Sequence, residues 1–322
     1  MMREAILNFP KQFLFNPRID PVCNTKNFNN FVACGIGGSL LAANLVKSLN
    51  PELPLVTHPD YGLPFIPKNK QSKTLTIFVS YSGNTEEPLD GFNCAGQLKY
   101  QRLAISINGK LHELAEEYKV PRIIIPNTGI QPRMALGFNY RAILKAMGED
   151  QLIKQSNSLL RLLNPEALEP VGKELAQTLH EYVPVIYSSF RNQIIAYSWK
   201  IKLNETGKIP AFYNILPEMN HNEMTGFDAV GSTRALSKKY FFIFLLDDDD
   251  NERIQTRMEV LEKLYKDRKF PVKIIKLQGD SHLQKVFSSL LLADWTAYYL
   301  AQSYGVEAEQ VPMVEKFKKL IE

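Results

Sequence analysis

The chain has 322 residues, 45% hydrophobic and 22% charged, with a formal net charge of +4. That length and balance suit a soluble globular protein of about two domains, each able to bury a full core. The positive charge is too mild and scattered for a nucleic-acid binder, since its densest cluster, Lys316, Lys318 and Lys319, is short.

Residues 1–30 carry a mixed helical pattern broken at Pro10 and Pro17. From Phe31 the pattern becomes regular: a short apolar strand at 31–34, a small-residue turn, a helix at 40–49 and a strand at 55–57. A strand at 75–80 and a helix from Glu86 follow, then a strand at 103–107 and a helix at 111–118. A strand at 122–125 and a helix at 133–147 complete the half. Strands that alternate with helices predict a parallel sheet covered on both faces. The boundary is expected near Gly148-Glu149-Asp150, giving domains 1–150 and 151–322. Helices at 151–163 and 165–182 open the second half, and the alternation then resumes. Its strands are predicted at 184–187, 240–246 and 272–277, and its helices at 192–203, 252–266, 283–303 and from 311 onward. The fold class is therefore α/β, two α/β/α sandwiches in tandem with mostly parallel sheets.

Two loops stand out in the first half. Gly35-Ile36-Gly37-Gly38-Ser39 and Ser80-Tyr81-Ser82-Gly83-Asn84-Thr85 each follow a strand and open a helix. Small residues there let backbone N–H groups approach an anion, and Ser39, Ser80, Ser82 and Thr85 add hydroxyls. Ligands of open parallel sheets bind at the carboxyl ends of the strands, where both loops fall. Neither is a nucleotide motif: Leu40 stands where a dinucleotide fingerprint wants glycine, and no Gly-Lys-Ser/Thr is present. The loops favour a phosphate carried on a small molecule. Arg133, after Pro132, reads either as a solvated surface arginine or as a cation at the same sheet edge.

Residues 204–223, NETGKIPAFYNILPEMNHNE, place Glu205, Glu218 and Glu223 near His221, with Asp228 just beyond. Pro210 and Pro217 keep a helix from resuming, so irregular backbone is expected. A carboxylate and an imidazole held together are the parts for proton transfer near neutral pH. The plainer alternative is that Glu205 caps a chain end and His221 is an ordinary loop histidine. Asp247 to Asp250 precede a helix start, whose field favours negative charge, and four adjacent acids cannot all face one metal ion. His58, His112, His180 and His282 lack paired ligand spacing, so no metal site is expected. Cys23, Cys34 and Cys94 read as free thiols of a reducing compartment. The chain opens without a basic-then-apolar leader, and the apolar stretch 286–300 contains Asp294. Cytoplasm is the expected location, with no membrane partner.

With these residues in hand, the chain resembles the bifunctional phosphoglucose/phosphomannose isomerase family, built from two sugar-isomerase (SIS) domains. The resemblance runs through GIGGS, SYSGNTEE, Pro132-Arg133 and NET-x-KIPAF…LPEMNHNE, in order and across essentially the whole chain. It implies an aldose–ketose isomerase acting through an enediol on a sugar 6-phosphate, without metal or redox cofactor. It implies that Gly37, Gly38, Ser39, Ser80, Ser82 and Thr85 bind the phosphate, that Glu205 is the base and that Arg133 stabilises the enediolate. It implies further that His221 assists ring opening from a neighbouring subunit, hence a homodimer with shared sites. Lys318, with Lys316 as second choice, is the matching ring-opening lysine. Relatives carry an Asp-Pro-Thr-like stretch near the C-terminus where this chain has Glu307-Ala308-Glu309-Gln310-Val311, which bears on the mannose epimer. Two rivals are a non-catalytic SIS sensor and the isomerase half of an amidotransferase. The first usually carries a helix-turn-helix domain, the second a glutaminase domain with a leading cysteine, and neither is found in this sequence.

Overall fold

The computed structural model describes residues 1–321, and by contact the chain divides into two units. Helix α1 (Met2–Leu7) belongs to the second unit together with Asn164–Glu322, whereas Asn8–Leu163 form the first.

In the first unit, β1 (Asn30–Cys34), α2 (Gly37–Leu49), β2 (Leu55–His58), β3 (Thr74–Val79) and α3 (Glu86–Gln97) come first. Then follow β4 (Gln101–Ser106), α4 (Lys110–Glu117), β5 (Arg122–Ile124), α5 (Leu136–Met147), α6 (Asp150–Ser156) and α7 (Leu159–Leu162). The strands form one parallel sheet in the order β2-β1-β3-β4-β5. Central β3 is buried along its whole length, as a strand covered on both faces must be. On one face Val32, Phe78 and Ala104 pack with Phe92 of α3 and Leu111 of α4; α2 and α5 pack against one another. The helix expected from Arg133 is in fact a 3₁₀ turn, Pro132–Met134, followed by α5. The reason is a partner remote in sequence: Gln12 donates to the Met134 carbonyl (2.6 Å), and its Oε1 accepts from the N–H groups of Gly137 (2.9 Å) and Phe138 (3.2 Å). This buried glutamine supplies the cap that α5 lacks in its own sequence. Helices α6 and α7 also pack in this unit, against α5 and the 3₁₀ turn Phe9–Leu14, so the division by contact falls at Leu163.

The second unit holds α8 (Pro165–Leu179), β6 (Val183–Ser189), α9 (Gln193–Glu205), β7 (Phe212–Leu216), α10 (Glu223–Gly226) and α11 (Arg234–Ser237). It continues with β8 (Tyr240–Leu246), α12 (Glu252–Asp267), β9 (Val272–Lys276), α13 (His282–Ser303) and α14 (Pro312–Ile321). Its parallel sheet runs β7-β6-β8-β9. Tyr187, Phe242, Phe244, Met258 and Tyr265 fill the face under α12, while α13 packs with α8 and α9. Lys202 of α9 and Asp294 of α13 are each 2% exposed and form an ion pair at 2.6 Å. Arg3 of α1 pairs with Glu169 of α8 at 2.7 Å and lies over the Trp295 ring. Strand β7 corrects the expectation of irregular backbone through 204–223. Pro210 and Pro217 do exclude a helix, but they bracket a five-residue β-prone run, the positions where proline costs an edge strand nothing. Among the described residues no helix is long and apolar enough to cross a membrane.

Candidate active site

The two glycine- and hydroxyl-bearing loops lie at the carboxyl edge of the first sheet and are built against one another. Gly37, Gly38 and Ser39 form the first turn of α2, which contains no acidic residue, so its N–H groups keep their positive end. A Cβ on Gly38 would stand 2.8 Å from the Pro132 carbonyl oxygen and 3.0 Å from the Arg133 Cα. Only glycine lets the start of α2 approach the turn that carries Arg133, which is 3% exposed. The Ser39 hydroxyl accepts the Tyr81 N–H at 3.1 Å and so fastens the second loop to the first.

The three serine and threonine hydroxyls of that second loop divide. Ser80 is fully buried; its Oγ accepts from the N–H groups of Gly83 (3.1 Å) and Thr85 (3.3 Å) and lies 2.8 Å from the Thr85 hydroxyl. It shapes the loop from inside. Ser82 is exposed and Thr85 half-buried, so these two present oxygen toward the edge, whereas Ser39 is buried with its hydroxyl engaged by Tyr81. Gly83 has φ +77°, and a Cβ there would lie 1.7 Å from the Asn108 carbonyl oxygen. The loop therefore sits flush on residues 107–110, where Asn84 accepts the Lys110 N–H at 2.9 Å. Glu86 and Glu87 already occupy the first turn of α3, leaving α2 as the better anion end.

In the second unit Glu205 is the last residue of α9, half-buried, where that helix returns to the amino end of the sheet. Its neighbourhood is aromatic: Tyr197 and Tyr213 meet with ring centroids 5.4 Å apart and planes tilted by 58°, and burial, Tyr213 and the Glu205 charge together push the Tyr197 phenol up. His221 ends a 3₁₀ turn, Glu218–His221, beyond the carboxyl end of β7. It is exposed and lines a groove of about 370 Å³ with Met224, Arg253, Arg257, Val260 and Leu264, on the α12 face. Five residues of β7 at about 3.3 Å each separate the two ends by roughly 16 Å, and α9 lies on the other face. Glu205 and His221 of one chain are therefore not held together, although their closeness in sequence suggests it.

The other acids of that stretch are already engaged. Glu223 accepts from the Tyr187 hydroxyl and the Asn214 amide; burial keeps the Tyr187 phenol protonated and donating. Asp228 pairs with Arg268, and Glu218 accepts from Asn222 at 2.9 Å. Lys318 is exposed on α14 and pairs with Glu315 at 2.9 Å; Lys316 is exposed on the same helix.

At the carboxyl edge of the second sheet, Asp247 and Asp250, which the sequence presents as acids before a helix start, belong to a buried network with partners remote in sequence. Asp247, fully buried, accepts from Lys285 (2.6 Å) and Asn192 (3.1 Å), while Asp250 accepts from Ser189 at 2.9 Å. The His282 Nε2 lies 2.9 Å from the Asn192 Oδ1; since the Asn192 amide N–H groups face carboxylates, the imidazole is the donor. Burial opposes the charge on Asp247, yet hydrogen bonds from Lys285, the Asp249 N–H and Asn192 hold its carboxyl below the usual range. Burial pushes Asp250 up and His282 down. Where the first sheet presents hydroxyls, the second is filled by its own ion pairs. Among the described residues no group of three or more His, Cys, Asp or Glu side chains suits a metal ion.

Residues 169–321 match the family model described as the bacterial phospho-glucose isomerase C-terminal SIS domain. The chain is 34% identical to a bifunctional phosphoglucose/phosphomannose isomerase from Aquifex aeolicus, over 91% of this chain and 90% of that one. It is 32% identical to a protein of the same name from Caldicellulosiruptor bescii, over 98% of both. In fold it is similar to the C-terminal domain of glucosamine-fructose-6-phosphate aminotransferase from Francisella tularensis. There the TM-score is 0.66 at 15% identity, covering 96% of each chain.

Proposed function

The chain belongs to the bifunctional phosphoglucose/phosphomannose isomerase family, and from that membership we propose that it interconverts glucose 6-phosphate, and mannose 6-phosphate, with fructose 6-phosphate. The likeness to the Aquifex aeolicus enzyme over nine-tenths of both chains carries this reading. Ser39, Ser82 and Thr85, with the Gly37 and Gly38 N–H groups, bind the phosphate, and Ser80 holds their loop in shape. Glu205 removes the carbon-2 proton of the open-chain aldose and returns it to carbon 1. The hydroxyl proton moves between the two oxygens through the enediol. A positioned carboxylate supplies about 10²–10⁴-fold; Arg133 supplies the fixed positive charge where the enediolate oxygen develops. His221 and Lys318 assist ring opening.

The separation of Glu205 and His221 along β7 supports a homodimer in which each site takes His221 from the partner copy. The three free thiols support a cytoplasmic location. A coupled assay on fructose 6-phosphate, reading glucose and mannose 6-phosphate separately, tests the reaction; no formation of either refutes it. Mixing Glu205→Gln with His221→Ala chains tests the shared site. One of two sites in each heterodimer is then complete, so random re-pairing should restore about a quarter of the activity. No recovery while subunits demonstrably exchange refutes sharing.

A further inference from the structure

Lys208 has no part in the reaction as drawn so far, yet it touches two elements that do. Helix α9 ends with the Thr206 and Gly207 N–H groups returning to the Lys202 carbonyl and the Ile209 N–H to that of Leu203. Lys208 adopts a left-handed backbone, φ +60°, uncommon for a residue with a side chain. That conformation turns its side chain back over the end of the helix, where the last carbonyls lack helical partners and a cation is favoured. Its Nζ donates to the carbonyl oxygen of Glu205 at 2.6 Å and also to that of Gln310.

Gln310 begins the approach to α14. None of the α14 residues is buried, so packing within its own unit does little to fix it. What holds it lies at its base: the Glu307 carboxylate accepts the Glu309 and Gln310 N–H groups, and Lys208 grips the Gln310 carbonyl.

We propose that Lys208 is a positioning residue whose ammonium ties the Glu205 end of α9 to the base of the helix carrying Lys318. Ring opening and proton transfer are thereby set in register by one side chain. The inference rests on the roles proposed above for Glu205 and Lys318. If it holds, loss of Lys208 loosens α14 and slows ring opening more than proton transfer.

The test uses the full chain, with Lys208→Met, Lys208→Arg, Lys318→Ala and the Lys208→Met/Lys318→Ala double variant. Rates are measured on fructose 6-phosphate and on its 5-deoxy analogue, which lacks the hydroxyl needed to close the ring. Lys208→Met should lower the rate on fructose 6-phosphate by about 10–10²-fold and the rate on the analogue by less than about threefold. Lys208→Arg should recover most of the loss. In the Lys318→Ala background, Lys208→Met should add less than about twofold, because both changes act through α14. Hydrogen exchange of residues 311–321 should quicken in Lys208→Met. Unchanged exchange there overturns the tether whatever the rates. Equal losses on both substrates, or full additivity with a harmful Lys318→Ala, also overturn it. A Lys318→Ala variant as active as wild type on the cyclic sugar refutes the role of Lys318 instead, and exchange alone then decides the tether.

Discussion

Replacing Lys202 by Met removes one partner of the buried pair with Asp294. At 2.6 Å and 2% exposure on each side, neither charge has water to fall back on. Removing one member of such a pair strands the other and costs about 3–5 kcal/mol. The second unit spans about 160 residues, a size at which each kcal/mol moves the melting temperature by roughly 2–4 °C. The variant should therefore melt about 6–20 °C lower. Both tryptophans of the chain, Trp199 and Trp295, are fully buried in this unit, so their fluorescence follows its unfolding alone. Lys202→Met/Asp294→Leu should behave otherwise. With both charges gone and the volume kept, stability should return to within about 1 kcal/mol of wild type or exceed it. A double variant as unstable as the sum of the two singles would show that the pair does more than cancel its own burial. Single variants within about 1 kcal/mol of wild type would refute the reasoning outright.

Two further outcomes follow from the sheet edges. Ser82→Ala with Thr85→Ala should raise KM for the sugar phosphate with much less effect on kcat, and unchanged affinity for a sugar-phosphate analogue would refute the phosphate placement. Asp247, held below the usual carboxylate range, contributes stability that is present above its unfolded pKa and lost as pH falls toward its folded one. Hydrogen bonds to Asp247 and Asp249 outweigh burial at Lys285 and raise it, so that contribution is lost only as pH climbs past the lysine range. Asp247→Asn should thus be less stable than wild type at pH 7 in urea titrations, the gap closing on acidification. A gap constant from pH 7 to pH 3 would refute the assignment.

Much of this was legible in the chain because it rests on local rules. Glycine and hydroxyl turns after apolar strands mark the carboxyl edge of a parallel sheet, and the first sheet has them there. Strand β7 is legible too, since Phe212-Tyr213-Asn214-Ile215-Leu216 has β propensity and flanking prolines, but prolines read as helix breakers alone hide it. Other features depend on partners remote in sequence. Gln12 shapes the turn after Arg133 from more than a hundred residues away, and Lys285 and Asn192 decide what Asp247 does. Sixteen residues from Glu205 to His221 look like proximity in a string; a strand between them turns it into distance.

The place of α1 bears on how the protein is made. Met2–Leu7 leaves the ribosome before either sheet does, yet its seat includes Glu169 of α8 and Trp295 of α13. Nearly three hundred residues are synthesised in between, roughly 15–60 s at 5–20 residues per second. During that interval the first unit can assemble while α1, with Ile6 fully buried in the finished protein, stays unseated. A fusion placed ahead of Met2, or a fragment begun at Asn164, would thus disturb the second unit from far away in the sequence.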